Sequence, residues 1–168
     1  LAPLYRSDHD WPKLIAAYET QIRFESEAHA KVALLHEIAR LYEFQLDNAR
    51  AAFSAFGKAL EFDVQDESTL QGVERLAGFL NAWPELVKLY DAQLHALPED
   101  EEHARVLFGL RVAGIYELQL DDLPSAIERY KWVLKVDASN LAAIEALDRL
   151  YQTTERWQEL TEILHNEI

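Results

Sequence analysis

The chain can be laid upon itself. With a shift of 74 residues, EAHAKVALLHEIARLYEFQLD (Glu27 to Asp47) meets EEHARVLFGLRVAGIYELQLD (Glu101 to Asp121) without a gap. His29, Ala30, Val32, Ala39, Tyr42 and Gln45 fall on His103, Ala104, Val106, Ala113, Tyr116 and Gln119. The match runs on through DNARAAFSAFGKALEFD over DDLPSAIERYKWVLKVD and VERLAGFLNAWPEL over LDRLYQTTERWQEL. Trp11, Trp83 and Trp157 recur in the same frame, each with Leu three residues later, at intervals of 72 and 74. The two-residue shortfall falls near Leu97-Pro98-Glu99, where extra length in a connection costs little. A period of this kind is the mark of stacked repeats, because each unit cannot bury its apolar face alone.

The first residues join the pattern. Leu1, Leu4, Tyr5 and Trp11 meet Leu147, Leu150, Tyr151 and Trp157, which puts residue 1 in mid-helix. The last residues lie inside a Trp-bearing helix, so the expectation is an excerpt from a longer array. One repeat domain is expected over 1–168, with units at 1–26 (partial), 31–63, 67–98, 101–137 and 140–168 (partial).

Within the period the spacing is helical. Val32, Leu35, Ala39 and Tyr42 fall on one face at i, i+3, i+7 and i+10, and Ala52, Phe56, Ala59 and Leu60 do the same on the next segment. Asp47, Asp66, Asn81, Asp100 and Asp121 precede apolar runs as N-cap candidates, and Pro12, Pro84 and Pro124 suit first turns, where a missing N–H is harmless. Helices are expected at 11–25, 27–45, 48–62, 67–80, 82–96, 101–119, 122–136, 140–153 and 156–168. Short connections make neighbours antiparallel, and no strand is required.

These hairpins resemble the tetratricopeptide repeat (TPR), a helix-turn-helix unit of about 34 residues. The family's bulky, small and Tyr places on its first helix, and its Ala, aromatic and Ala places on its second, are matched by Leu35, Ala39, Tyr42, Ala52, Phe56 and Ala59. In the later unit they are matched by Val112, Ala113, Tyr116, Ala126, Tyr130 and Val133. The intervening units depart from the pattern: Glu74 and Asp148 stand where the family uses Gly or Ala, and Leu86 and Leu160 where it uses a small residue. Trp83 and Trp157 are expected to fill there, anchoring every second hairpin; the competing reading makes them exposed ligand platforms. The resemblance implies an all-α, right-handed α-solenoid of about nine helices.

Composition narrows the function. Against 30 Asp and Glu stand 16 Lys and Arg, a formal charge of −14 that repels phosphate backbones and anionic lipid, so nucleic acid is not expected as a partner. No apolar run reaches the length of about 20 residues that spans a bilayer, so membrane insertion is not expected. The chain has no Cys, which removes thiolate zinc sites and thiol nucleophiles. His36-Glu37 begins an H-E-x-x-H zinc motif, but Arg40 stands at the final place. Glu101-Glu102 and Asp121-Asp122 suit helix starts, where the positive end of the helix dipole favours carboxylates. No phosphate loop, dinucleotide fingerprint or nucleophile elbow is present, so the reading is non-catalytic, without metal or cofactor.

The resemblance implies instead a groove lined by first helices. Helical spacing from Ala39 and Tyr42 assigns to it His36, Arg40, Glu43 and Phe44, then Leu110, Glu117 and Leu118, with Arg75, Phe79 and Arg149 from the intervening units. Arg40, Arg75 and Arg149 share one place, with Gly114 breaking the row. Such a row beside Phe44 and Phe79 could hold an extended peptide by its carboxylates. Alternatively these Arg pair along their own helices, as Glu145 with Arg149. The family's clamp for C-terminal carboxylates is not reproduced, since its places hold His36, Gly72 and Leu107. The expected role is a protein-protein interaction scaffold taking a peptide or partner protein. End-to-end self-association, or service as the docking part of a larger enzyme, are the alternatives.

Overall fold

The structure, a computed structural model, describes residues 2–166, with side chains over 3–155. Among the described residues there is no strand. The helices are α1 (Ala2–Ser7), α2 (Trp11–Phe24), α3 (Ala28–Arg40), α4 (Ala49–Leu60), α5 (Glu67–Leu80), α6 (Trp83–Ala96), α7 (Glu102–Leu118), α8 (Leu123–Val136) and α9 (Leu141–Asn166). A π turn, Leu41–Gln45, extends α3. Contacts gather into two compact units, Leu1–Leu89 and Tyr90–Ile168, divided inside α6.

Every second-helix start but one carries a polar cap. The side chains of Asp10, Asn48 and Asp122 accept from the backbone N–H three residues on, at Lys13, Ala51 and Ser125. Two of the expected caps therefore move by one residue. Asp47 and Asp121 are left-handed, with φ of 48° and 50°, and the capping falls to the next residue. Asn81 is likewise a left-handed terminator of α5 (φ 52°), and the residue before α7 is Glu101 rather than Asp100, with no side-chain cap. Asp66 caps α5 as expected.

The two-hairpin period is written into these turns. His9 and Asn81 close tight Schellman-type ends, in which Asp10 N–H reaches Tyr5 O at 3.0 Å and Ala82 N–H reaches Ala77 O at 2.8 Å. At Asp47 and Asp121 the turn is one residue wider: Asn48 N–H bonds Tyr42 O at 2.7 Å, and Asp122 N–H bonds Tyr116 O at 2.9 Å. Asn and Asp tolerate the left-handed conformation better than β-branched residues, because a short polar side chain can bond locally.

One expected break is missing. Helices at 140–153 and 156–168 are instead one, Leu141–Asn166. The segment Thr153-Thr154-Glu155-Arg156 holds no Asn, Gly or Pro to stop a helix, whereas the matching turn has Asn81. The Thr153 and Thr154 hydroxyls bond back to the carbonyls of Arg149 and Leu150, each at 2.9 Å, and so follow the helix.

In the first unit the core is made by Leu14 and Ile15 of α2, Val32, Leu35, Ile38 and Ala39 of α3, Ala52, Phe56, Ala59 and Leu60 of α4, and Leu70, Val73, Leu76 and Ala77 of α5. The repeat frame read from the sequence is thus buried as expected except at Tyr42, which is half-buried. The small slot of α5 is Gly72, not the place of Glu74: a Cβ at Gly72 would lie 2.7 Å from the Phe56 ring. Gly72 is what lets that ring sit against the helix backbone. In the second unit the core joins Ala113, Ala126, Tyr130, Val133, Ala143, Ala146, Leu147 and Leu150, and Ala146 takes the place of Gly72 one period on.

The Trp reading needs correction. Trp11 and Trp83 are half-buried, and Trp157 lies outside the described side chains, as does Leu160. Trp83 lies over Gly78, 3.3 Å from where a Cβ would be. The fully buried anchors of α6 are Leu86 and Tyr90, and the Tyr90 ring meets Phe108 at 5.2 Å between centroids. A Trp in the first turn of a helix sits at the hairpin's edge, and residues one and two turns further in reach the core. Tyr90→Ala is expected to lose about 3–5 kcal/mol in chemical denaturation, and Trp83→Ala less, about 2–3 kcal/mol, since part of its side chain stays in water. A larger loss for Trp83→Ala than for Tyr90→Ala would restore the Trp to the anchoring role.

Candidate functional site on the first helices

In the first unit α3 and α5 present adjacent first-helix faces. Glu43, in the π turn, takes both guanidinium nitrogens of Arg75, at 2.5 and 2.8 Å. The pair draws Glu43 below the ordinary carboxylate range, chiefly by the hydrogen bond from Arg75, and raises Arg75 in return. In the second unit Arg149 reaches Glu117 at 2.5 Å, not Glu145 of its own helix. The separation, 32 residues, is the same in both units. Tyr130 adds a hydroxyl that donates to Glu117 at 3.0 Å; burial first, then that carboxylate, pushes its phenol up to about 12. So two of the three Arg in the row tie one hairpin to the next. Arg40 pairs with Glu37 of its own helix at 3.0 Å, and Glu37 also takes Arg6 at 3.3 Å.

His36 turns inward. Its Nε2 lies 2.7 Å from Thr69 Oγ1, and its ring packs 5.3 Å from that of Phe56. Thr69, a fully buried polar residue, gives its hydroxyl proton to Asp66 Oδ2 at 2.6 Å, while its N–H donates to the same oxygen at 2.8 Å. Thr69 Oγ1 can then only accept from His36, which fixes the Nε2–H tautomer. Burial pushes the imidazole below its ordinary value; Asp66 opposes this and Arg40 adds to it. One period on, His36, Asp66 and Thr69 are replaced by Leu110, Asn140 and Ala143, and Leu110 packs on the apolar core that contains Ala143. This first-helix position therefore carries a polar relay in one unit and an apolar contact in the other.

The remaining residues face solvent. Phe44 is 70% exposed, Phe79 78% and Leu118 74%. Phe44 and Leu118 each follow the Glu of an ion pair, and Phe79 lies one turn beyond Arg75. Beside the first pair a cleft of about 310 Å³ is lined by His36, Arg40, Phe56, Ser68, Gln71, Gly72 and Arg75, which holds cations and no carboxylate. Glu117, Arg149, Leu110 and Leu118 form the corresponding surface of the second unit, described separately from the first. The sequence signal for the ion pairs was the recurrence of Glu and Arg at one separation in both periods.

Among the described residues no three His, Asp or Glu side chains gather as metal ligands do, and no helix is long and apolar enough to cross a membrane. His29 and His103 are both exposed at helix starts.

In fold the chain is an all-α, TPR-like helical-repeat protein. No protein-family model matches it, and no curated protein does. Among solved structures it is similar to MamA (14% identity, TM-score 0.48, covering 96% of this chain and 89% of that one). It is also similar to the nearly identical TPR-like repeats of a Podospora anserina kinesin light chain (20%, TM-score 0.48, 99% and 89%). A tetratricopeptide repeat protein from Parabacteroides merdae is a third (18%, TM-score 0.44, 99% and 63%). At these values nothing of their sites or partners transfers to this chain.

Two pH windows follow. Glu43 is depressed, so its contribution to stability is complete above the unfolded carboxylate value near 4.5 and is lost as pH falls through the folded value. His36 is depressed too, so its contribution is complete above 6.5 and is lost as pH falls below it. In thermal melts from pH 8 to 3, His36→Gln is expected to flatten the upper part of the acid decline and Glu43→Gln the lower part, each with at most about 1 kcal/mol lost at neutral pH. Parallel curves for wild type and both variants would contradict these assignments.

Proposed function

We propose that this chain is a non-catalytic interaction scaffold that takes an extended peptide or partner segment along its first-helix face. The observation that carries the reading is the exposure of Phe44, Phe79 and Leu118 beside built ion pairs. Large apolar side chains held in water are costly unless something covers them, and isolated pairs of charge cannot hide them. Recognition on this reading is apolar first. Arg75 and Arg149 are engaged by Glu43 and Glu117, and they stiffen the wall rather than reach for carboxylates. The cleft of His36, Arg40, Ser68 and Gln71 on the same helices then supplies hydrogen-bonding groups.

A second reading, stacking on adjoining repeats or on a copy, is favoured by one feature. Leu141, Ile144 and Tyr151 of α9 lie on one helical face and are 65%, 44% and 40% exposed. Sedimentation across a concentration series separates the two, because stacking makes mass depend on concentration.

For the first reading, a displayed peptide library is selected on wild type, and the best binder is titrated into Phe44→Ala/Phe79→Ala. Since both side chains are exposed, the melting temperature is expected to hold while the dissociation constant rises at least about tenfold, or 1.4 kcal/mol. An unchanged constant, or selection that enriches nothing, removes the proposal.

A further inference from the structure

The cleft beside the Glu43–Arg75 pair has a chemistry of its own. Its polar lining is His36 and Arg40 of α3 with Ser68, Gln71 and Arg75 of α5. One period on, Leu110, Gly114, Ala142 and Glu145 stand in the places of the first four, and Arg149 alone keeps its kind. The helical frame forms in both units, so it does not require this polar set.

What the set offers is fixed by the bonds its members already make. The Thr69 hydroxyl donates to Asp66 and accepts from His36 Nε2–H, which leaves a lone pair on Nδ1. Nδ1 has no partner among the described residues, and the side chain is 20% exposed. Gln71 donates from Nε2 to Glu67 at 3.1 Å, so its Oε1 is turned to accept. Arg40 and Arg75 are balanced in charge by Glu37 and Glu43, yet each guanidinium has more N–H donors than those bonds use. Ser68, which is exposed, adds a hydroxyl that both gives and accepts. The inventory is therefore mixed, donors and acceptors together, with no unbalanced charge.

We infer that this cleft is a subsite for a primary amide, the side chain of an Asn or Gln in the extended segment bound along the first-helix face; the assignment rests on that reading of the face. A primary amide carries two N–H donors and a carbonyl on one planar group, the complement of an imidazole lone pair and a Gln carbonyl set beside guanidinium N–H groups. Each rival leaves something unmatched. A carboxylate has no proton for Nδ1 and meets Arg side chains whose charge is already balanced. An ammonium accepts nothing from those Arg and adds another cation. An apolar side chain strips water from the polar groups and replaces none of its bonds. A protonated His36 would admit a carboxylate, but burial of the ring opposes the charge, and so does Arg40; Asp66 and Glu37 favour it less strongly. The volume, about 310 Å³, lies at the small end of ligand sites and suits one side chain rather than a whole ligand.

Displayed-peptide selections run side by side on wild type and on His36→Leu, which installs the residue of the second period, test this. Wild type is expected to enrich Asn or Gln at a fixed distance from the apolar positions, and His36→Leu to keep the apolar positions and lose the amide. Replacing that amide residue by Leu, or by the matching acid, in the best wild-type binder should weaken binding at least about tenfold. The same replacements should matter little to His36→Leu. Imidazole nitrogen NMR spectra should show His36 Nδ1 unprotonated, and shifted by the amide peptide but not by its Leu version. Ser68→Ala/Gln71→Ala, at two exposed positions, should lose part of the same preference, which keeps the outcome decisive if His36→Leu melts early. Apolar enrichment without an amide overturns this inference and leaves the first-helix reading standing. Acidic residues in its place, binding more tightly as pH falls, overturn it in favour of an anion site. Selection that enriches nothing removes both.

Discussion

A hairpin of two short helices cannot cover both of its apolar stripes, so each must lend a ring to the next. In the first unit that loan is Phe56 of α4, seated on the bare backbone of Gly72 in α5. Much depends on it. The ring sets the spacing of α4 and α5, brings Thr69 under His36, and thereby orders the polar relay that ends at Asp66. It also fixes the distance over which Arg75 can reach Glu43. In the second unit Tyr130 takes the same place, with Ala146 opposite, and the extra hydroxyl is drawn to Glu117, the carboxylate already holding Arg149.

The charged pairs are read best in that light. They are exposed on the Arg side and largely covered on the Glu side, a setting in which an ion pair adds modest stability but fixes geometry well. Their equal spacing makes them part of the repeat, as much as the Ala and Tyr positions are. What they leave uncovered is Phe44 and Phe79 in the first unit and Leu118 in the second. On the opposite side the periods have diverged: Trp132 lines the cleft of one unit and Lys58 that of the other. Repetition here preserves the frame and lets each surface drift.

Much of this frame was legible as sequence. The 3.6-residue spacing named Leu35, Ala39, Ala52, Phe56 and Ala59 as core, and all five are buried. Four kinds of detail were not. Asp47, Asn81 and Asp121 read as caps because Asn and Asp serve both as caps and as left-handed terminators, and only backbone dihedrals separate the two. Trp11 and Trp83 read as anchors because their size suits a core, yet a place in the first turn leaves each only partly covered. The small slot was counted at Glu74 although Gly72 fills it, since the register between one hairpin and the next is not written along either helix. And the Arg row read as open to a ligand, because distances between residues 32 apart have no local signature.

The sequence by itself determined that the chain is a succession of amphipathic helices in a two-hairpin period, and which face of each is apolar, because periodicity and turn chemistry act within a few residues. Only the tertiary structure decided which side chains meet across hairpins: that His36 turns in, and that Arg75 and Arg149 are spoken for. Those outcomes depend on contacts between residues far apart in the chain, where a shift of one helical turn exchanges partners without altering any local pattern.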